Sequence, residues 1–148
     1  MSTVRASIPE EYPVIAPVIL SASRSTDIPA RHAKWFMDRL RKGWFGWVNP
    51  FNRKRYAVSL ENTRAIVFWT KHAAPLFPYL DEIEERGFHF YFQYTLNDYE
   101  AEGLEPKIPP LDRRIETFRG LSEKIGPERV IWRFDPIILH DGQSGRDI

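Results

Sequence analysis

The chain has 148 residues, 43% of them hydrophobic and 14% aromatic, which suffices for one domain core and excludes a disordered tail. Charge is balanced, with 21 lysines and arginines against 20 acidic residues, so no overall field favours nucleic acid or a membrane surface. The absence of cysteine excludes disulfides and thiolate-bound metals within these residues, and it fits a reducing, cytoplasmic setting.

The first part of the chain predicts an arm, a strand, a helix and a hairpin. Residues 1–17 are polar and then punctuated by prolines, which indicates an arm laid over the surface. From residue 18 a short apolar run predicts a strand that opens into a polar loop. Residues 29–42 have apolar side chains at helical spacing, and Gly43 ends the helix. Aromatic and β-branched residues around an Asn-Pro-Phe-Asn turn predict a short hairpin, or two extended arms, over residues 44–48 and 56–60.

Strands and helices alternate in the remainder. The continuous apolar run 65–70 predicts a strand covered on both faces, and a helix follows from about residue 74 to Gly87. Residues 88–96 alternate between apolar and more polar side chains, as a strand does. A polar, proline-rich connector leads to an amphipathic helix over 111–125, and residues 130–135 predict the fourth strand.

This order is typical of an α/β fold, in which about four parallel strands are joined by crossover helices, with an inserted hairpin. A complete (β/α) barrel needs about 250 residues, so the pattern predicts a partial barrel, and an open four-stranded sheet is the alternative. The predicted organisation is an arm (1–17), a half-barrel domain (18–139) and a polar tail that departs from the pattern (140–148).

Polar residues that follow the strands are the candidate site. Ligands of parallel α/β folds bind at the carboxyl ends of the strands. The predicted binding residues are Ser23, Arg24, Asp27, Thr70, Lys71, Gln93, Arg133 and Asp135. Four of them have a structural alternative: Asp27 caps the helix, Lys71 forms a salt bridge at the rim, and Arg133 pairs with Asp135 inside the sheet. The four histidines lack metal-ligand spacing, so no metal site is predicted.

A second candidate surface is the basic, aromatic segment 39–60, which contains no acidic residue. Aromatic rings there can stack on bases while the cations meet phosphates. The candidate nucleic-acid residues are Arg41, Lys42, Trp44, Trp47, Arg53, Lys54 and Arg55. The alternative is that the aromatic side chains pack within the hairpin and the cations only face the solvent.

Six motifs occur in a specific order: SASRSTDIP, WFMDRLRKG, NPFN, IVFWTK, PYLDEIEERGFHFYFQYTLN and ETFRGLSEKIGPERVIWRFDPII. Over about residues 18–139 the chain therefore resembles an uncharacterised bacterial domain-of-unknown-function family, DUF1848. Full-length members of that family carry a C-terminal cysteine cluster similar to the iron-sulfur motif of radical S-adenosylmethionine enzymes.

The resemblance implies the N-terminal half of a radical-SAM-like barrel, with the strand-end residues lining its mouth. It implies a [4Fe-4S] cluster and S-adenosylmethionine in full-length members, and neither is expected to be held by this cysteine-free chain alone. We therefore expect the isolated chain to be inactive, as a truncated product, as one part of a split protein or as a remnant. The alternatives are a nucleic-acid-binding module and a structural half-barrel that forms a homo-oligomer or pairs with a missing chain.

Overall fold

Two sheets organise the part of the chain that the structure, a computed structural model, describes: residues 3–22, 25–99 and 103–138. The larger sheet is parallel, with its strands in the order β2 (Ile19–Ala22), β5 (Ala65–Thr70), β6 (His89–Thr95) and β7 (Val130–Arg133). The smaller sheet has the order β1 (Val14–Ile15), β4 (Arg55–Ser59) and β3 (Trp44–Val48). Strand β4 is parallel to β1 and forms the antiparallel hairpin with β3, as the sequence predicts.

Helices connect the strands of the larger sheet. Between β2 and β5 lie α2 (Ile28–Arg31) and α3 (Ala33–Lys42), followed by the hairpin. A 3₁₀ segment (Ala74–Tyr79) and α4 (Leu80–Glu85) connect β5 to β6. Helix α5 (Leu111–Ile125) and a 3₁₀ turn (Pro127–Arg129) connect β6 to β7, and α1 (Thr3–Ala6) precedes β1. The α/β class, with parallel strands, crossover helices and an inserted hairpin, is therefore confirmed, and it is consistent with a partial (β/α) barrel. No helix among the described residues has the length and apolarity needed to cross a membrane.

The core lies between the parallel sheet and its helices. Alternate residues of the strands point into it, and neighbouring strands bring them into rows such as Leu20, Ile66 and Phe90. Phe68 stacks on Phe92, with ring centroids 5.1 Å apart, and both side chains are fully buried. This apolar layer fixes the register of the sheet, because a slip by one residue would turn every core side chain to the other face.

The opposite face of the parallel sheet is only partly covered by the described residues. Val67 is buried there, but Ile19 is 65% exposed and Ile131 is 43% exposed. Strand β5 is thus covered on both faces at its centre, at Val67, as predicted. The same face of β2 and β7 is partly exposed. Pairing of the open sheet edges with a second copy, or with a missing partner chain, remains a prediction.

The backbone shows two departures from the predicted helices. The helix predicted over residues 29–42 is interrupted at His32, where φ is −133° and ψ is 22°. Its N–H group closes α2 on Ile28, whereas its carbonyl accepts from Phe36 and begins α3. The segment after β5 starts as a 3₁₀ helix that contains Pro78, which has no N–H group to donate to an α-helical hydrogen bond. Gly43 ends α3 as predicted, with φ at 84°.

The ends of the chain differ from the prediction in a similar way. Part of the predicted arm, residues 1–17, forms α1 and then β1. Strand β1 is short because prolines flank its two residues, and the carbonyl of Pro13 accepts from Ala57 of β4. Strand β7 ends at Arg133 and not at residue 135. The predicted polar tail, residues 140–148, lies outside the described residues.

Candidate functional site

An open cavity of about 340 Å³ lies at the carboxyl ends of three strands of the parallel sheet. Strands β5, β6 and β7 and the loop before α2 contribute to it. Its lining residues are Ser25, Thr26, Asp27, Trp69, Thr70, Lys71, Thr95, Arg133 and Asp135. We call this space the rim cavity. Its position is the one at which ligands bind in parallel α/β proteins.

Asp27 joins the loop before α2 to the end of β5. Its Oδ1 accepts hydrogen bonds from the N–H of Ala30 (2.9 Å) and from the hydroxyl of Thr70 (2.7 Å). Its Oδ2 accepts from the N–H of Lys71 (2.7 Å). The helix-capping alternative for Asp27 is thus observed, and the carboxylate also fixes the orientation of the strand end that follows it.

A chain of three charged side chains lies behind the rim cavity. The ammonium of Lys71 is 2.7 Å from Oε1 of Glu105, whose side chain is 2% exposed. The other oxygen, Oε2, is 3.3 Å from the guanidinium of the fully buried Arg114. Arg114 also donates to the carbonyls of Pro109 (2.9 Å) and Asn97 (3.0 Å). Two cations therefore share one carboxylate, and this cluster keeps a net positive charge.

Arg133 forms the opposite wall of the rim cavity. Its guanidinium lies over the ring of Trp69, 4.8 Å from the ring centroid, and donates to Oδ2 of Asp135 at 2.5 Å. The side chain of Arg133 is 30% exposed and that of Asp135 is 56% exposed. The ion pair predicted for these two residues therefore forms, but the predicted location inside the sheet is wrong, because the pair lies at the surface of the rim and is reachable from solvent.

The structure brings five of the eight predicted binding residues into the rim cavity: Asp27, Thr70, Lys71, Arg133 and Asp135. Gln93 does not line it. Gln93 pairs with Trp69 inside the sheet, and Thr95, two residues farther along the same face of β6, takes the rim position. Ser23 and Arg24 lie outside the described residues.

A second cavity of about 340 Å³ shares Ser25, Thr26, Asp27 and Lys71 with the first. Its other lining residues are Ala30, Arg31, His72, Lys107, Ile108 and Pro109. We call it the side cavity. Burial lowers the pKa of His72, which the nearby Asp27 opposes, and its Nδ1 is buried without a hydrogen-bond partner among the described residues.

The basic, aromatic segment does not form one continuous surface. Arg41 is bound by Glu82 (2.7 Å), and hydrogen bonds from Arg41 and Arg86 lower the pKa of Glu82 to about 2. Trp44 is buried, with the ammonium of Lys42 5.0 Å from its ring centroid. The exposed remainder of the candidate set consists of Trp47, Arg53, Lys54 and Arg55 on the hairpin. Nucleic-acid binding remains a prediction.

Comparison with protein families gives one match over most of the chain. The model of a domain of unknown function, DUF1848, matches residues 19–146. The chain belongs to this family. Searches of curated proteins and of solved structures gave no match.

The cofactors implied by the resemblance can be compared with the donor atoms of this DUF1848 chain. A [4Fe-4S] cluster is held by cysteine thiolates, and these 148 residues contain no cysteine. Across residues 3–22, 25–99 and 103–138, no group of three or more metal-binding side chains is placed to hold an ion. The cluster therefore does not fit these residues, and no step proposed below passes through it.

Several residues of the DUF1848 site were not predicted from the sequence: Arg31, His72, Glu105, Lys107 and Arg114. Arg114 had a detectable signal. It precedes Phe118, Leu121 and Ile125 at helical spacing, which places an arginine on the apolar stripe of α5. A charged residue on the buried face of a helix requires a buried partner. The proline-rich connector that supplies Glu105 and Lys107 has no periodicity and gives no such signal.

The pKa of Tyr94 allows a test of whether its hydroxyl is buried beneath the rim cavity. Its side chain is fully buried, its hydroxyl donates to the carbonyl of Arg114 (3.4 Å), and burial raises its pKa to about 12. In the unfolded chain the tyrosine hydroxyl loses its proton near pH 10, whereas in the folded chain it keeps the proton until about pH 12. The folded state therefore has its full stability below pH 10 and loses stability as the pH rises from 10 toward 12. We expect the free energy of unfolding to fall by up to about 3 kcal/mol over that window.

Urea denaturation at pH 9 to 12 measures this loss. Tyr94→Phe should flatten the alkaline slope. The control is Tyr91→Phe, on the opposite and half-buried side of the same strand, which should keep most of it. Equal slopes for the wild type and Tyr94→Phe would contradict the burial of this hydroxyl.

Proposed function

We propose that this DUF1848 chain is the ligand-binding N-terminal half of a radical-SAM-like barrel enzyme, and that the rim cavity binds a small polar molecule. The ligand is the substrate, or the carboxylate and ribose of S-adenosylmethionine. On this proposal the chain by itself performs no radical chemistry, because the thiolates for a cluster come from outside these residues.

The observation that carries the proposal is the convergence of polar side chains from three parallel strands. Thr70 ends β5 and Lys71 follows it, Thr95 ends β6, and Arg133 ends β7. They face a cavity on the rim and not the apolar core. In parallel α/β enzymes the binding and catalytic groups occupy this edge of the sheet, whereas the opposite edge serves stability.

The charges on the rim match a ligand that carries both signs. Arg133 uses one N–H group for Asp135 and retains others, and an arginine can hold a carboxylate through two parallel hydrogen bonds. Asp135 is the more exposed partner and can accept from a ligand ammonium group or from sugar hydroxyls. The hydroxyl of Thr95 adds a neutral donor and acceptor beside them. An α-amino-carboxylate joined to a ribose has these complementary groups.

Removal of the Arg133 guanidinium tests the proposal. We expect Arg133→Gln to weaken the binding of S-adenosylmethionine by roughly ten- to a hundredfold, because a hydrogen bond to a charged group contributes about 1.5–3 kcal/mol. The fold should persist, because a surface ion pair contributes only about 0–1 kcal/mol. Isothermal titration calorimetry of the two proteins measures the difference.

The matched control is Lys34→Gln, which removes one positive charge from an exposed position of α3 that lines neither cavity. It should bind S-adenosylmethionine as the wild type does. An Arg133→Gln protein with wild-type affinity would overturn the assignment of Arg133. If Lys34→Gln and Arg133→Gln weaken binding equally, the interaction reflects overall charge and not the rim cavity.

A further inference from the structure

We infer that the side cavity is an anion subsite that binds a phosphate group. The inference rests on the proposed function, because it extends the rim cavity into a second compartment of the same binding site. It also narrows the substrate class, to a polar small molecule that carries a phosphate at one end.

Charge in the side cavity is strongly unbalanced. Arg31, Lys71 and Lys107 line it with three positive charges, whereas Asp27 is its one carboxylate among the described residues. Both oxygens of Asp27 already accept hydrogen bonds from the protein. Two positive charges are therefore left without compensation, which suits a dianion such as a phosphate monoester better than a single carboxylate.

The cations of the side cavity also have free hydrogen-bonding capacity. Within the described part of the chain, Arg31 and Lys107 have no ion-pair partner, and both are exposed. Lys71 is held by Glu105, but Arg114 also binds that carboxylate and keeps the cluster cationic. His72 also lines the side cavity, and its Nδ1 is buried without a hydrogen-bond partner among the described residues.

The two cavities share four lining residues and therefore lie side by side. Ser25, Thr26, Asp27 and Lys71 line each of them. Lys71 is the cation among these four residues, and its backbone is fixed by Asp27. A ligand with its polar head at Arg133 and a phosphate between Arg31 and Lys107 would use Lys71 as the shared cation.

The experiment is a calorimetric or NMR titration with inorganic phosphate at constant ionic strength, with acetate as the comparison anion. We expect saturable binding of phosphate to the wild type and weaker binding of acetate. Arg31→Gln and Lys107→Gln should each weaken phosphate binding at least about fivefold, and the double variant should abolish it. The control Lys34→Gln should stay within about twofold of the wild type.

Three outcomes would overturn the inference: no saturable binding of phosphate, equal loss in every charge variant, or loss in Arg133→Gln with none in Arg31→Gln. The last result would place the anion in the rim cavity, so the proposed function would survive. Two results together would separate the proposals in the other direction. Loss of phosphate binding only in the side-cavity variants would support the subsite. Wild-type affinity of Arg133→Gln for S-adenosylmethionine would contradict the proposed rim ligand.

Discussion

Replacement of Glu105 by glutamine should lower the free energy of unfolding by about 3–5 kcal/mol. The substitution leaves the fully buried guanidinium of Arg114 without its carboxylate, and an uncompensated buried charge has a cost of that order. The ammonium of Lys71 loses the same partner, but it is 36% exposed and can turn to water. Urea denaturation at pH 7 measures the loss.

The control and a double-mutant cycle separate this effect from general destabilisation. Glu85→Gln removes the same charge from an exposed position of α4 and should change stability by no more than about 0.5 kcal/mol. Glu105→Gln combined with Arg114→Met should cost less than the two single variants together, because each single variant strands the other partner. A Glu105→Gln protein within about 1 kcal/mol of the wild type would show that the ion pair does not stabilise the connector.

Replacement of Asp27 by alanine should cost about 2–4 kcal/mol of stability and should also weaken ligand binding. The change removes the cap of α2, which contributes about 1 kcal/mol, and leaves the Thr70 hydroxyl and the Lys71 N–H without their acceptor. The hydrogen bond from the Lys71 N–H to Asp27 fixes the backbone at the end of β5. Without it, Lys71 should lose its fixed position between the two cavities. Thermal denaturation and the S-adenosylmethionine titration measure the two effects.

Two further variants sharpen the test of Asp27. Asp27→Asn keeps an oxygen for Ala30 and Thr70 but presents an amide group to the Lys71 N–H, so it should fall between the wild type and the alanine variant. Asp98→Ala, at an exposed position of the β6–α5 connector, should be neutral. If Asp27→Ala is as stable as Asp98→Ala, the carboxylate does not join the loop to β5.

Elements with one dominant signal could be predicted from the sequence. The apolar run 65–70 and the amphipathic stripe over 111–125 predict the bounds that β5 and α5 have in the structure. The interruption at His32 could not be predicted, because periodicity continues through it. It arises from tertiary structure: α2 is held on the end of β5 by Asp27, whereas α3 packs its apolar face on the core.

The site residues that lie at the ends of strands could be predicted from the sequence. Parallel strands bring their carboxyl ends to one edge, so Lys71 and Arg133 share a cavity although 62 positions apart in the sequence. Glu105 and Lys107 belong to a connector whose path depends on tertiary contacts, and no local pattern predicts which of its charges turn inward. Gln93 shows the limit of counting along a strand, because a shift of two residues moves a side chain from the rim into the sheet.

The central claim is that the rim cavity at the ends of β5, β6 and β7 is the ligand site. Its most direct test is a ¹H–¹⁵N correlation NMR titration of the chain with S-adenosylmethionine. We predict saturable shifts concentrated on the backbone amides of Thr70, Lys71, Thr95 and Arg133, with the hairpin tip unaffected. An absence of saturable shifts, or shifts confined to the hairpin around residues 49–55, would contradict the claim.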